Sequence, residues 1–319
     1  MDGKYYRKKA LCTCGVVLLL SLFLLACNIE SLVADDGNNN WNQKLLHMKL
    51  VGSGISDADL DKLKEMGFSV LNGEWGMDAL SATQLLTLLD RMHARGLKFI
   101  VNLSDGAAWG YASGMIPPPG QAPRWQAERI KSYVEQIRHH PAIYAYDISN
   151  EAGENLPNGA QKRITLEQMR QAATDVRALD GKRPILVRMH YWDDEDGDFT
   201  WKNPFGSGIA DIVMLNLYSN YSLDGERVLL PDMVRESAQE LVDKIRAVDG
   251  DVRVWISLAA FEDRPTFLKP SVAEIQRDAI AAASVEGVES IGFFGWGAPA
   301  RSWYLPRDGA GLLDFMRAP

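Results

Sequence analysis

From residue 45 onward, short apolar runs rich in β-branched residues alternate with longer stretches in which apolar side chains recur with a helical period. Runs of the first kind are typical of buried parallel strands, and stretches of the second kind are typical of amphipathic helices. The predicted strands are 46–51, 69–72, 98–103, 143–148, 185–189, 212–217, 252–258 and 291–294. The predicted helices are 57–66, 82–94, 124–138, 166–178, 232–248 and 272–285.

Eight strands that alternate with helices favour the α/β class, as a single (β/α)₈ TIM barrel over residues 45–319. A doubly wound open sheet is the alternative, but no glycine-rich phosphate-binding sequence follows any early strand. The pattern is weakest in two places. The connection 191–210 is polar and lacks a convincing helix, and only 312–317 offers a last helix.

The first 26 residues have the pattern of an export signal, with a basic start and an apolar run over 11–26. The segment 24–27 (LLAC) resembles the bacterial lipobox, which implies that Cys27 is lipidated and becomes the new N-terminus. Plain signal cleavage and an uncleaved membrane anchor are the alternatives. Residues 27–44 are polar and predict a flexible tether. We therefore expect a bacterial cell-envelope lipoprotein that faces the periplasm or the cell exterior.

Composition narrows the classes of partner and cofactor. The 319 residues are 46% hydrophobic with a formal net charge of −8, which suits a globular domain and disfavours nucleic-acid binding. All three cysteines lie at or before position 27, so we expect no disulfide. The five histidines lack metal-ligand spacing, and the acidic segment 193–198 does not fit a calcium loop. We expect no metal, no cofactor and a monomer.

The fourth predicted strand ends in a group of polar residues, and the active sites of barrels lie at the carboxyl ends of the strands. The strand period of two places Asp147, Ser149 and Glu151 on one side, together with Ile143 and Ala145. If that side faces the barrel axis, Glu151 stands at the mouth. Partial desolvation there raises the pKa of a carboxyl group, which then donates a proton near neutrality.

The segment 140–151 (HPAIYAYDISNE) resembles the fourth-strand signature of the clan A glycoside hydrolases, particularly family-five-type cellulases and mannanases. The resemblance implies that Glu151 is the general acid/base, that Asn150 and Tyr218 position the substrate, and that Trp296 forms the floor of a sugar subsite. The implied substrate is an oligo- or polysaccharide with β-linkages. The similarity extends over most of 45–296, and only the fourth-strand motif is specific.

Several positions depart from the pattern of that family. Leu258 stands where the nucleophilic glutamate is expected, Asn72 where an arginine is usual, and Asn216 where a histidine is common. Hydrolysis needs a second carboxylate, and we expect Glu262, in the loop after the seventh strand, to supply it. Glu74, Asp105 and Asp147 are the other candidates.

Tryptophans follow several of the predicted strand ends, and indole rings stack on the CH faces of sugars. Trp75 and Trp109 are predicted to line the cleft with Trp296, although tryptophans in loops also serve as apolar plugs. The main interpretation is a surface-anchored glycoside hydrolase-like protein. A non-catalytic carbohydrate-binding barrel that lacks the nucleophile is the first alternative, and an assembly component of the cell envelope is the second.

Overall fold

A computed structural model describes residues 44–74, 76–104, 106–110, 122–152, 164–190, 205–223, 226–227, 233–297 and 303–304. Eight parallel strands pair side by side and close into a barrel. In order around the barrel they are β1 (Leu45–Leu50), β2 (Val70–Gly73), β3 (Lys98–Asn102), β4 (Ile143–Asn150), β5 (Ile185–His190), β6 (Ile212–Leu217), β9 (Arg253–Ala259) and β11 (Val288–Trp296). The predicted barrel is therefore confirmed, and every predicted strand overlaps an observed one.

Helices lie between the barrel strands. They are α1 (Asp57–Glu65), α2 (Ala82–His93), the short α3 (Gly106–Trp109), α4 (Ala127–Ile137), α5 (Leu166–Leu179), α6 (Met233–Val248) and α7 (Val272–Ala283). Four of them begin with a capping box, in which a serine or threonine and the residue three positions later satisfy each other's backbone N–H groups. The caps are Ser56, Ser81, Thr165 and Ser271. Local sequence thus sets where these helices start.

The two faces of each barrel strand have different environments. Outward side chains such as Leu71, Val213 and Ile256 join one large core beneath the helices. Inward side chains form a smaller apolar layer across the barrel, which consists of Val70, Ile100, Ala145, Leu186, Ile212, Met214 and Trp255. Ile143 belongs to the outer core instead, because the register between β3 and β4 shifts near the start of β4. The next inward positions toward the carboxyl ends are polar.

Two short strand pairs lie outside the barrel, β7 (Ser222–Leu223) with β8 (Glu226–Arg227) and β10 (Phe261–Glu262) with β12 (Trp303–Tyr304). The second pair joins the loops after β9 and β11, so it lies beside the carboxyl ends of those strands. No helix among the described residues is long and apolar enough to span a bilayer. The predicted signal, the tether, Cys27 and the helix 312–317 lie outside the described residues.

Candidate functional site

Above the inner apolar layer, the barrel interior carries buried ionisable, amide and hydroxyl side chains. They are Lys49, Asn72, Glu74, Asn102, Ser104, Asp147, Ser149, Arg188, Asn216 and Ser257, from seven of the eight barrel strands and their ends. Burying one uncompensated charge in such a place costs several kcal/mol, which is comparable to the net free energy of unfolding of a whole domain. These groups are therefore expected to be paired with one another, and the contacts show how.

Arg188 on β5 lies at the centre of the charged group. Its Nε is 2.5 Å from Oδ2 of Asp147 on β4, and its Nη2 donates to the Ser104 hydroxyl at 2.6 Å. Its Nη1 donates to Oε1 of Glu74, the residue that follows β2. One guanidinium thus links β4 to the residues that follow β2 and β3, which uses the fixed, forked geometry of its donors.

Lys49 on β1 shares the Glu74 carboxylate, with Nζ 3.3 Å from its Oε1. Lys49 also donates to Oδ1 of Asn216 on β6, and the Tyr218 hydroxyl lies 3.4 Å from Nζ. Burial, the largest effect, and the positive charge of Arg188 lower the pKa of Lys49, while nearby carboxylates, with Glu74 the strongest, oppose that shift. The ammonium therefore depends on its carboxylate neighbours for stabilisation.

Glu151 directly follows β4 and is partly exposed at the mouth of the barrel. Asn216 donates from Nδ2 to its Oε1 over 2.5 Å. The backbone of Glu151 has φ of 50°, in the left-handed region that non-glycine residues adopt only at a cost of about 1–3 kcal/mol. Strain of this kind concentrates at functional sites, and here it sets the direction in which the carboxylate leaves the strand.

Glu74 and Glu151 belong to one connected group. Lys49 touches Glu74 and the Asn216 carbonyl oxygen, and the Asn216 nitrogen touches Glu151, so the two carboxylates are at most about 10 Å apart. The sequence had offered Glu74 as one of several second carboxylates. The structure brings it toward Glu151 and holds it in two ion pairs.

Aromatic rings form one wall of the mouth. Tyr218 lies at 5.3 Å from Phe261 and 5.9 Å from Phe294, centroid to centroid, and Phe267 completes the cluster. Burial, followed by the negative charges of Glu151 and Glu74, raises the pKa of Tyr218 well above its ordinary value. The Tyr218 hydroxyl therefore stays protonated at neutral pH and remains a hydrogen-bond donor.

Two amide side chains near the site retain polar atoms that have no hydrogen-bond partner in the part of the chain that the structure describes. Asn150, the last residue of β4, has no partner for Oδ1, and Asn72 on β2 has none for either side-chain polar atom. Both are buried, at 6% and 0% exposure. A buried amide that lacks partners is costly, so these groups are available to water or to a polar ligand.

The predicted tryptophan platforms do not line the mouth where the structure describes them. Trp296 packs into the outer core, where its Nε1 donates to Asp59 on α1 at 3.2 Å and Lys62 lies over its ring. Trp109 is fully buried and donates to the Ile148 carbonyl. Neither indole reaches the mouth. Phe294 and Trp296 lie two residues apart and would share one face of a regular strand, but the pairing of β11 with β1 shifts in register between them, so that Phe294 joins the aromatic wall and Trp296 joins the outer core. Trp75 lies outside the described residues.

The carboxylate predicted after the seventh barrel strand, Glu262, lies on β10 and pairs with Arg264 in the same loop. No described contact joins it to Glu151. Leu258, taken from the sequence as the position of the missing nucleophile, points outward into the core, whereas Ala259 points into the mouth. Position 259 is therefore the inward end of β9. Asp105 lies outside the described residues.

Sequence reasoning missed Lys49 and Arg188, although their signal is visible afterwards. Each is a cation within a mostly apolar strand, in LLHMKL and ILVRMH, at a position of the inward-facing set. A lone charge in a buried strand predicts a buried partner.

Among the described residues, no three histidine, cysteine, aspartate or glutamate side chains are grouped as a metal site requires.

By sequence, the chain matches no family model and no curated protein. In fold it is similar to an endoglucanase of Pseudomonas stutzeri, with a TM-score of 0.58 and 16% identity over 86% of this chain and 92% of that one. A GH5_18 protein from Streptomyces cattleya, in complex with Manb1-4GlcNAc, is similar with a TM-score of 0.57 and 16% identity over 79% of this chain and 70% of that one. A Bacteroides uniformis β-glucuronidase is similar with a TM-score of 0.52 and 13% identity over 79% of this chain, which is only 30% of its own length. The barrel is thus one that glycoside hydrolases use.

Proposed function

We propose that the chain is a glycoside hydrolase-like protein that acts on the O-glycosidic bonds of a β-linked glycan, with Glu151 as the general acid/base. The observation that carries the proposal is the position of the Glu151 carboxylate, at the mouth of the barrel on a strained backbone and hydrogen-bonded by Asn216. Structures with this barrel include a β-glucuronidase and a protein bound to Manb1-4GlcNAc, which supports a β-linked glycan as the ligand class.

Each neighbour of Glu151 has a task in this chemistry. As a general acid, Glu151 gives its proton to the glycosidic oxygen, and as a base it takes one from the incoming water. The protonated hydroxyl of Tyr218 donates to a sugar oxygen, and the open Oδ1 of Asn150 accepts from a sugar hydroxyl. The rings of Phe294 and Phe261 supply an apolar wall for the sugar.

Two described carboxylates compete for the second catalytic role. Glu74 is joined to Glu151 through Lys49 and Asn216, but two buried cations hold its carboxylate. Glu262 lies in the loop after β9 and pairs with Arg264, whose side chain is 69% exposed. We propose Glu262 as the second carboxylate of a hydrolase, because an ion pair with an exposed arginine is exchanged more easily than the two buried pairs of Glu74.

A non-catalytic carbohydrate-binding barrel is the second candidate, and the end of β9 favours it. The inward residues there are Ser257 and Ala259, neither of which supplies a carboxylate. A cleft that kept Glu151, Asn150 and the aromatic wall would still bind a glycan. An assembly component of the envelope would need neither hydrolysis nor glycan binding.

The test uses purified protein on aryl β-glycosides and on β-linked polysaccharides, with Glu151→Gln and Asp175→Asn compared. Asp175 is a matched control on α5, since it bonds Trp125 and Gln171 and lies outside the mouth. Turnover that Glu151→Gln lowers by at least about 10²-fold, with Asp175→Asn unaffected, supports the hydrolase. Glycan binding without turnover supports the second candidate. If neither occurs on any substrate, both are rejected.

The cellular placement is a separate proposal. Cys27 would carry the lipid, residues 27–44 would form the tether, and the monomeric barrel would face the periplasm or the cell exterior. Mass spectrometry of the membrane-extracted protein tests this. An acylated N-terminal peptide that begins at Cys27, absent in Cys27→Ala, is expected, and an unmodified peptide at that position would reject the anchor.

A further inference from the structure

Asn216 lies between a cation and a carboxylate, and its two polar atoms face different partners. Lys49 donates to Oδ1, while Nδ2 donates to Glu151 over 2.5 Å. An ammonium only donates, an ionised carboxylate only accepts, and an amide has one end of each kind. The amide orientation that satisfies both neighbours is therefore the observed one, and a flip would place two donors together at one end and two acceptors at the other.

We propose that Lys49 is a positioning residue for Glu151: by holding the Asn216 carbonyl oxygen, it keeps the amide nitrogen directed at the Glu151 carboxylate. Lys49 and Glu151 attract each other as opposite charges, and Asn216, which accepts from Lys49 and donates to Glu151, links the two through hydrogen bonds. This inference rests on the proposed function for its catalytic meaning, since it names what orients the general acid/base. The geometry itself is independent of whether a glycan is cleaved.

Burial makes the arrangement selective. Lys49 has no exposed surface and Asn216 is 3% exposed, so water does not compensate a flipped amide. Lys49 in turn is fixed by Glu74, which Arg188 also holds. The orientation of Asn216 thus depends on a chain of buried contacts that runs from Arg188 through Glu74 to Lys49.

The arrangement also links orientation to protonation. With the amide as observed, the ionised form of Glu151 accepts from Nδ2; with the amide reversed, Oδ1 would accept from the protonated form. Removing the ammonium removes both a nearby positive charge and the preference for the observed orientation, and each change favours the protonated carboxyl. The titratable and charged groups that surround Lys49 are Glu74, Arg188, Glu151, Asp147, Tyr218 and His47.

The experiment is an NMR titration of purified protein labelled with ¹⁵N-asparagine and ¹³C-glutamate, with signals assigned through Asn216→Asp and Glu151→Gln. Lys49→Met removes the charge, Lys49→Arg keeps it, and Lys62→Met is the matched control, since Lys62 lies over Trp296 outside the barrel. We expect Lys49→Met to move the Asn216 side-chain amide signals and to shift the Glu151 titration to higher pH. Lys49→Arg should move the titration less, and Lys62→Met not at all. A folded Lys49→Met protein with both signals unchanged overturns the proposal.

A measurement on the unaltered protein covers the case in which Lys49→Met does not fold. The Asn216 side-chain amide signals should shift together with the ionisation of Glu151, at the same midpoint. Independent midpoints would overturn the proposal. Neither readout needs a substrate, so coupling without turnover would reject the hydrolase and keep the role of Lys49. Turnover without coupling would support the hydrolase and reject the positioning role of Lys49.

Discussion

Arg188 and Asp147 form an ion pair inside the barrel, with Nε 2.5 Å from Oδ2 and at most 1% of either residue exposed. Removing one partner of such a pair leaves the other charge buried and poorly compensated. We expect Asp147→Asn to lower the free energy of unfolding by about 3 kcal/mol, measured by urea denaturation. Asp61→Asn, which breaks an exposed pair with Arg95, should have a much smaller effect. Equal losses would mean that the interior pair contributes no more than a surface pair.

Trp296 and Phe294 should separate stability from ligand binding. Because Trp296 packs against α1, Trp296→Ala should destabilise the fold by about 3 kcal/mol and leave glycan affinity of the folded protein nearly unchanged. Phe294→Ala should weaken glycan binding, since its ring faces the mouth. Calorimetric titration and urea unfolding of both variants provide the check. If only Trp296→Ala weakened glycan binding, Trp296 would be the floor of a sugar subsite, as the sequence predicts.

The left-handed backbone at Glu151 predicts an inverted order of two small substitutions. Alanine normally stabilises a site relative to glycine, but at φ of 50° its Cβ is strained. We expect Glu151→Gly to be more stable than Glu151→Ala by about 1 kcal/mol in urea unfolding. Ser284, with φ of −71°, is the control position, where the alanine variant should be the more stable one. The same order at both positions would contradict strain at Glu151.

Asp278 should make stability fall as pH rises from acid toward neutrality. Burial raises the pKa of Asp278, against the opposing effects of Ser219 and Arg277, so the folded state holds the proton more tightly than the unfolded chain. The contribution of Asp278 to stability is present below the ordinary aspartate pKa, and it is lost as the pH rises through the raised pKa. Asp278→Asn should therefore gain stability relative to the original protein as pH increases through that window, in thermal or urea unfolding.

Asp249 provides the opposite sign for comparison. The Gly208 backbone N–H lowers its pKa, so its contribution is present above the ordinary aspartate pKa and is lost as pH falls through the lowered one. The loss of stability that Asp249→Asn causes should therefore become smaller as the pH falls through this range. Parallel trends in the two variants would show that neither pH dependence comes from the named carboxyl group.

Gly292 leaves room for the ring of His47. An added Cβ at this inward position of β11 would overlap the imidazole, which is buried, bonded to Ser290 at 2.8 Å and stacked on Trp255. We expect Gly292→Ala to cost about 3 kcal/mol, and a much smaller further loss when it is added to His47→Ala. A double-mutant cycle measured by urea unfolding checks the coupling. Additive losses would show that the two residues do not compete for space.

The sequence by itself determined the barrel. Strand runs such as 212–217 and helices such as 272–285 were predictable because apolar periodicity and serine or threonine caps are local properties. It also placed Glu151 directly after the fourth strand, at the carboxyl end of the barrel, where the structure has it. The regular alternation predicted from Asp147 to Ser149 is interrupted, because the pairing of β4 with β5 shifts in register between these two residues. The ends of β4 and β11 were predicted too short, because their polar or glycine-containing tails are held by bonds from neighbouring strands.

Only the tertiary structure decided which groups meet. Lys49 and Glu74, from β1 and the end of β2, meet Arg188 and Asn216, from β5 and β6, and no local pattern encodes the closure of the barrel that joins them. The same holds for Trp296, which packs against α1 because the pairing of β11 with β1 shifts in register between Phe294 and Trp296. Periodicity predicts the face of a residue only where its strand is regular. Which charge it finds across the barrel depends on strand order and register, which arise only on folding.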